Sequence, residues 1–520
     1  MWTKGASEKM LTIPTLLERQ AARHARSVAM IDATSGQEWT IADLERASAA
    51  GARALAAAGV SHGDRVGILS ANHPSFAIAY LSIARIGAVL VPISWRLTQP
   101  EMATIAADAG ISALIANKEL ADVATGLAAD AGVDAARLWW IGEGDLPATG
   151  ADLEPAFAAA DVEPFVPAQA PVPEDLLYLM YTSGTTGKPK GAMHTHATTF
   201  AASSAVIESM DYRVGDRYFN VMPLFHVASL AMVNICLHRR CTMVLGRAFD
   251  PTSVWPTIAE HKINAMMAVP AMLQAMAATF DPSLDTSSLR VLSTGAAPVP
   301  LPLLEHFHGL GIDIVQAYGL TEAGGAVAVL DSADAADHVG SAGKALLALE
   351  MRIEDRDGNA LGPGEEGEIV VKGPAIAIGY WQMPEATAET MPDGWFHTGD
   401  IGVVDEEGFL TIKDRLKDML ISGGENVYPA EVESVLLGHP AVADVAVIGQ
   451  PSARWGESPC AVVVPKGDLD PAELQAWARE RLAAFKVPKN IEITDELPRN
   501  ASGKILKTDL RERFPGPAPE

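Results

Sequence analysis

Cysteine is nearly absent: Cys236, Cys241 and Cys460 are the only three in 520 residues. So few cannot build a disulfide framework, and no two have the spacing of a zinc ribbon or a CxxC redox centre. A reducing cytoplasm is the expected setting. Basic residues are also in deficit: Lys plus Arg number 39 against 65 Asp plus Glu, a formal net charge of −26. That balance excludes a general electrostatic grip on nucleic acid or anionic lipid, so any anionic ligand needs a local positive site. Long apolar runs are missing too. Met1 to Met10 has no apolar signal core, and the most hydrophobic stretch, Phe76 to Ser94, is interrupted by Arg85 and Pro92. It reads as buried helix and strand, and no membrane span is expected. There is no internal repeat and no low-complexity tract beyond Ala-rich helices.

What is present is a globular composition, 48% hydrophobic and 20% charged, on a chain too long for one core. At least two domains are expected. Elements alternate as in an α/β protein. Thr40 with Asp43 reads as an N-cap with an acidic third position, and Leu44, Ala47, Gly51 and Leu55 mark one helical face that Gly59 can end. Arg65 to Leu69, a helix through Ala77 to Ile86 and the run Ala88 to Ile93 give strand, helix, strand, the pattern of a parallel crossover. Arg290 to Ser293, the turn Thr294 to Pro298, a helix from Leu301 to His308 and the strand Ile312 to Gln316 repeat it. Ligands of open α/β sheets bind beyond the carboxyl ends of strands, which makes the two loops candidate site walls.

Beyond about residue 415 a smaller α+β unit is expected, with strands near Ala443 to Ile448 and Cys460 to Pro465. Asp470-Pro471-Ala472-Glu473 starts a helix there, with Leu474, Trp477, Ala478, Leu482 and Phe485 as its apolar stripe. The tail from Phe514 to Glu520 reads as disordered.

The most informative segment is Tyr181-Thr182-Ser183-Gly184-Thr185-Thr186-Gly187-Lys188-Pro189-Lys190-Gly191, which follows the apolar run Leu176 to Met180. A strand feeding a loop of hydroxyl and glycine residues leaves N–H and O–H groups free to surround phosphate oxygens, while Lys188 and Lys190 supply charge. It is not a Walker A loop, because two residues separate the glycines and Pro189 follows the lysine.

This loop resembles that of the adenylate-forming superfamily, which contains acyl-CoA synthetases, aryl-CoA ligases, luciferases and carrier-protein-loading adenylation domains. The resemblance continues in the family's order through Pro223-Leu224-Phe225-His226-Val227, Gly295-Ala296-Ala297-Pro298, Gln316-Ala317-Tyr318-Gly319-Leu320-Thr321-Glu322 and Gly394 to Asp400. It then runs through Asp414 to Asp418, Ser422 to Asn426 and Pro498 to Lys504. Within the superfamily the chain is most similar to fatty-acyl-CoA synthetases of the bacterial long-chain type. The resemblance implies a large α/β N-terminal domain of several subdomains, residues 1–416, and a mobile small α+β C-terminal domain, residues 417–520, hinged at Lys417. It also implies two half-reactions. A carboxylate attacks the α-phosphorus of Mg·ATP to give acyl-AMP and pyrophosphate, and the thiol of coenzyme A then displaces AMP.

Residue roles follow from the same resemblance. Lys504 matches the mobile lysine bridging substrate carboxylate and α-phosphate. Glu322, after Thr321, matches the Mg²⁺ carboxylate. Thr182 to Gly187 and Lys190 match the phosphate loop. Asp400, in a Thr-Gly-Asp turn, and Arg415 match the ribose contacts. Gly295, Ala296 and Ala297 would lie along one face of the adenine and Gln316, Ala317, Tyr318 and Gly319 along the other. His226 would stand beside the acyl carboxylate, and Gly424 would line the pantetheine tunnel. His194 and His196 look like a metal pair, but no third ligand is evident and they stay unassigned.

Met222, Ala228, Met232, Met266, Met267, Ala268, Met272 and Met276 fall around the expected acyl channel. Unbranched thioethers adapt to varied apolar shapes, which ranks a medium- or long-chain fatty acid first, an aryl-propenoic acid such as a cinnamate second and a short acid third. Methionine at helical spacing also suits plain core. Transfer of acyl-AMP to a carrier protein is the mechanistic alternative; members that refuse CoA commonly carry an insertion before the small domain, and the compact run Asp400 to Asp414 leaves no room for one. Peripheral membrane contact is conceivable for a lipid-like substrate, with Arg239, Arg240 and Arg247 as a weak basic cluster that reads better as solvated surface.

Overall fold

The computed structural model describes residues 11–160, 163–182, 189–295, 299, 301–331, 333–335, 337–338, 340–422, 425–452, 454–499 and 505–516. The chain divides into two compact units, Met1–Glu350 with Val371–Phe396, and Met351–Val370 with His397–Glu520.

In the first unit both expected crossovers form. Arg65–Leu69, the helix Pro74–Ile86 and Val89–Ile93 make strand, helix and parallel strand, with Leu69 opposite Ile93. Proline opens the helix, where its missing N–H costs nothing, and Gly87 ends it at φ 78. Every residue of this helix is buried, as a helix apolar all round requires. Arg85 is accommodated because its Nε donates to Ser48 Oγ at 2.9 Å and Glu45 takes a second N–H. Ser48 and Glu45 lie on the helix Ile41–Ala57, which packs alongside and opens on the Thr40–Asp43 capping box.

These strands belong to a seven-stranded sheet in the order Ala151–Asp152, Leu138–Ile141, Ala113–Asn117, Arg65–Leu69, Val89–Ile93, Leu176–Thr182, Lys190–Thr195. Its pairs are parallel except the last. The second crossover, Val291–Gly295, helix Leu301–Gly309 and Ile314–Tyr318, sits in a nine-stranded sheet. Six strands run parallel across it, in the order Ile314–Tyr318, Val291–Gly295, Ala265–Met267, Arg217–Asn220, Thr242–Leu245 and Val28–Asp32. Parallel sheets are covered on both faces, which explains their near-continuous apolar strands.

The methionines of the expected acyl channel divide. Met266, Ala268, Met272 and Met276 belong to the core against this sheet, packed with Trp255 and Phe307, and Trp255 Nε1 donates to Met276 O at 2.9 Å. Met232 is also buried. Met222, Met267 and Ala228 are half-buried. Five of the eight are therefore core, Met272 and Met276 in the plain role of helically spaced methionine. The basic cluster does not form a solvated patch either. Arg239 Nε donates to Tyr212 O at 2.7 Å, Arg240 meets His24 Nδ1 at 3.1 Å, and Arg247 bonds Asp32 and Glu143 at 3.0 and 2.9 Å.

The second unit carries a four-stranded sheet, Glu350–Glu354, Gly367–Lys372, Phe396–Val404 and Leu410–Arg415. It also carries a sheet whose centre is the long hairpin Val442–Ser452 with Gly456–Pro465. The helix Pro471–Arg479 starts at Asp470, whose carboxylate accepts from Ala472 N, and buries Leu474 and Ala478. Phe514, expected in a disordered tail, instead packs beside Ile505 on a small core around Leu510, and its carbonyl accepts from Gln450 Nε2 at 3.1 Å. Among the described residues no helix is long and apolar enough to cross a membrane.

Candidate active site

The phosphate-loop segment is closed at its base by antiparallel pairing of Thr182 with Lys190. The expected residues Ser183, Gly184, Thr185, Thr186, Gly187 and Lys188 lie outside the described residues, as do Ala296, Ala297, Gly424 and Lys504. Lys190 opens the return strand, and its Nζ sits 5.0 Å above the ring of Tyr380. The Tyr380 hydroxyl donates to Glu322 Oε1 at 2.8 Å.

Glu322 occupies a single 3₁₀ turn, Thr321–Ala323, just past the strand Ile314–Tyr318. Its carbonyl accepts from Ala377 N at 2.7 Å, and the side chain is buried. His194 reaches the same turn from the return strand, with Nε2 2.8 Å from Thr321 O. A carbonyl only accepts, so Nε2 carries the proton. Burial holds the His194 imidazole down to about 4, so it is neutral. His196, two residues on, faces elsewhere: its Nδ1 accepts from Ile13 N at 3.2 Å. The pair is structural, and among the described residues no cluster of three or more His, Cys, Asp or Glu could cage a metal. A single protein carboxylate can suffice for Mg²⁺, which keeps several waters and shares its shell with substrate phosphates.

Gly319 and Gly295 are small for reasons beyond a nucleotide. A Cβ on Gly319 would lie 2.1 Å from Gly325 O, and one on Gly295 would lie 2.6 Å from Ala317 O. The close approach is of backbone to backbone, so glycine is needed even without a ligand. Thr294 and Gln316 are register partners on neighbouring parallel strands. Thr294 Oγ1 and Gln316 Nε2 are buried without a partner among the described residues, and so is His226 Nδ1. An unmet buried polar atom costs about 1–3 kcal/mol, so three in one subdomain fit a polar ligand that supplies the missing bonds. Tyr318 is buried at the same strand end and its carbonyl accepts from Val327 N at 2.7 Å.

His226 caps the helix Val227–Arg239, and burial pushes its imidazole below the ordinary value, so it too is neutral. Its approach is fixed by Asn72, which sequence reading passed over. Asn72 Nδ2 donates to Met222 O at 2.9 Å while Asn72 Oδ1 accepts from Leu224 N at 2.8 Å. Gly325 lies against Val227 and Ala228, bringing the Glu322 turn to the start of this helix. Tyr380 was also passed over, since its partner Glu322 is 58 residues away. The one local sign for Asn72 is its place in the loop beyond the Arg65–Leu69 strand, already a candidate wall.

In the second unit Asp400 and Arg415 face one another across antiparallel strands, Arg415 Nε donating to Asp400 Oδ1 at 3.0 Å. The Thr-Gly-Asp turn proves to be a kinked strand: Gly399 has φ 70 within Phe396–Val404. Thr398 Oγ1 donates to Ile369 O at 2.7 Å and accepts from Asp400 N at 3.1 Å. Asp400 is buried and Arg415 half-exposed, so the guanidinium orients the carboxylate from the solvent side. Lys417 follows in a turn where Asp418 N and Met419 N both donate to Arg415 O.

The AMP-binding enzyme family matches residues 17–381, and the AMP-binding enzyme C-terminal domain matches residues 431–504. A feruloyl-CoA synthase of an Amycolatopsis species is 45% identical over 92% of this chain and 94% of its own. A long-chain-fatty-acid–CoA ligase of Mycobacterium tuberculosis is 39% identical over 98% of this chain and the whole of its own. Among solved structures, an o-succinylbenzoate coenzyme A synthetase from Bacillus subtilis in complex with ATP and magnesium ion superposes with a TM-score of 0.85. It is 33% identical and covers 95% of this chain and 99% of its own. Both the motifs and these whole-length matches place the chain in the AMP-binding, adenylate-forming enzyme family, among its acid–CoA ligases.

Proposed function

We propose that this ligase activates an apolar monocarboxylic acid, a medium- or long-chain fatty acid first, forming acyl-AMP and pyrophosphate from ATP and then acyl-CoA and AMP. The observation that carries the reading is the apolar surface that faces the glycines of the site. Met267 faces Gly295, while Val227 and Ala228 face Gly325. Each CH₂ buried against such a surface is worth about 0.8 kcal/mol, so chain length translates directly into affinity. Withdrawal of Met266, Met272 and Met276 into the core shortens the flexible part of that surface. Together with the 45% identity to a feruloyl-CoA synthase, it favours an aryl-propenoic acid as the second reading.

The chain's own groups divide the work. The Thr182–Gly187 loop with Lys188 and Lys190 receives the phosphates. Gly295, Ala296 and Ala297 lie against one adenine face, and Gln316, Ala317, Tyr318 and Gly319 against the other, with Thr294 and Gln316 offering unmet polar atoms. Asp400 and Arg415 take the ribose. Glu322, beside Thr321, is the carboxylate that would hold Mg²⁺, whose chemistry is neutralisation of charge on the triphosphate. His226 presents a neutral ring nitrogen to the acid's carboxylate. Lys504 bridges that carboxylate and the α-phosphate, so adenylation is alignment and charge neutralisation rather than bond-making by the protein. Lys504 must then withdraw to admit the thiol past Gly424, which calls for rotation of residues 417–520 against 1–416 about Lys417. A cytoplasmic setting suits three buried, unpaired thiols.

Incubating the full-length protein with Mg·ATP, with and without CoA, and a panel of fatty, aryl and short acids tests the reading by AMP release and thioester mass. Highest kcat/KM on C8 to C16 acids supports it. Highest kcat/KM on cinnamates moves the assignment to the second reading, and acid-dependent turnover that needs no CoA removes the ligase step.

A further inference from the structure

We propose that Tyr380 is a positioning residue for the Glu322 carboxylate, assisted by His194, which clamps the turn that carries it. The proposal rests on the reading of Glu322 as the carboxylate that meets the Mg²⁺ of Mg·ATP.

A three-residue 3₁₀ turn has weak hydrogen-bond geometry of its own and cannot fix a side chain at its centre. Thr321–Ala323 is such a turn, and Gly324 follows it at φ 68. Its order comes from outside. His194 Nε2 donates to Thr321 O at 2.8 Å, and Ala377 N donates to Glu322 O at 2.7 Å. The His194 ring is itself held, stacked on Tyr178 with centroids 4.9 Å apart. A strand residue and a loop residue thus grip the turn's backbone, and neither contact reaches the carboxylate.

Tyr380 does. Its hydroxyl has one hydrogen and gives it to Glu322 Oε1 at 2.8 Å, which stops rotation of the carboxylate about its last bond. The phenol is fixed in turn: Ala192 and Tyr380 form a β-bridge, and Lys190 Nζ lies over the ring at 5.0 Å. Lys190 also opens the return strand of the phosphate loop. One side chain therefore connects the cation at the loop's stem to the carboxylate assigned to the metal. Second-sphere partners of ligating carboxylates typically change metal affinity by about 10–100-fold when removed.

The test uses Mn²⁺ in place of Mg²⁺, titrated by electron paramagnetic resonance into full-length protein saturated with α,β-methylene-ATP. The variants are Tyr380→Phe, Glu322→Gln, both together, His194→Gln and His194→Ala. Tyr380→Phe should raise the Mn²⁺ Kd about 10–100-fold while the Kd of the analogue in EDTA stays within about twofold. Adding it to Glu322→Gln should change nothing further, since the hydroxyl acts only through that carboxylate. His194→Gln, which offers an amide N–H to Thr321 O, should bind Mn²⁺ more tightly than His194→Ala. Unchanged Mn²⁺ affinity in Tyr380→Phe, beside weakened affinity in Glu322→Gln, overturns the positioning role. Equal loss of metal-free analogue binding overturns it too, by showing a general structural defect. Unchanged affinity in Glu322→Gln overturns the metal reading itself.

Discussion

Protonation of His196 should undo the start of the first helix. Ile13 N–H, the first donor of Ile13–His24, is accepted by His196 Nδ1 at 3.2 Å. The ring is fully buried, and its Nε2 has no partner among the described residues. The bond needs a lone pair on Nδ1, so only the neutral ring can make it. Burial, aided by His62 and opposed by Asp175, holds the imidazole down to about 4 against an ordinary 6.5. The folded pKa lies below the unfolded one. The unfolded chain therefore takes the proton first as pH falls. Stability is whole above about pH 6.5, declines between 6.5 and about 4, and is level below. At 1.36 kcal/mol per pH unit that gap is worth about 3 kcal/mol, of which about 2 kcal/mol falls between pH 7 and pH 5. His194, also near 4, slopes the same way, so the difference against a variant isolates His196. His196→Asn places a non-titrating acceptor where Nδ1 stood. A chain of two units need not unfold in one step, which makes amide exchange of residues 13–24 at pH 7, 6 and 5 the appropriate readout. Protection should fall more steeply in the native protein than in His196→Asn, by about 2 kcal/mol over that range. Parallel slopes would refute the argument.

Lys504→Ala should abolish pyrophosphate release while sparing thioester formation from supplied acyl-AMP; equal loss of both halves contradicts the bridging role. Asp400→Asn replaces charge-assisted bonds by neutral ones, so KM for ATP should rise about tenfold and preference over 2′-deoxy-ATP should shrink; an unchanged KM refutes the ribose contact. Gly319→Ala forces a methyl to 2.1 Å from Gly325 O and 2.6 Å from Ala326 Cα. Because both neighbours are backbone, it should cost more than about 2 kcal/mol, read as a lower melting temperature together with lost ATP binding.

What was legible in the sequence was local or motif-borne. The Thr40–Asp43 capping box, both crossovers and the Asp470 cap each declare themselves within a few residues, because caps and hydrophobic periods are short-range. The site was legible as motifs, but not as contacts. His194 and His196 share one HxH pattern, yet one lies inside a strand and the other starts a helix, so their rings serve Thr321 and Ile13. Tyr380 and Asn72 act through partners 58 and about 150 residues away, and no periodicity reports such pairs. The methionines misled for a related reason. Helical spacing marks a buried face without telling core from channel, and Trp255 and Phe307 supply the mass that closes around Met266 and Met276.

The packing also bears on the proposed rotation. The second compact unit runs across Lys417, because residues 351–370 and 397–416 pack with residues 417–520. Among the described residues, two side-chain bonds that span that point stand out. Tyr428 Oη donates to Glu366 Oε2 at 2.9 Å, and Ala430 N donates to Asp414 Oδ2 at 2.8 Å. By contrast, Arg511 with Asp418 at 2.8 Å and Lys507 with Glu433 at 2.8 Å lie wholly on the C-terminal side and would travel with it. Rotation about Lys417 therefore has to break the first pair of bonds and keep the second. At about 1 kcal/mol net for each bond exchanged with water, the two spanning bonds cost about 2–3 kcal/mol, with Asp414 the larger share because its carboxylate is buried. A difference of that size biases one orientation by about 30- to 150-fold yet leaves the other populated enough for turnover. Tyr428→Phe removes one spanning bond without touching a substrate, so it should shift the balance between the half-reactions, speeding whichever needs the other orientation. Adenylation and thioester rates that change by the same factor would show that Tyr428 does not hold the hinge.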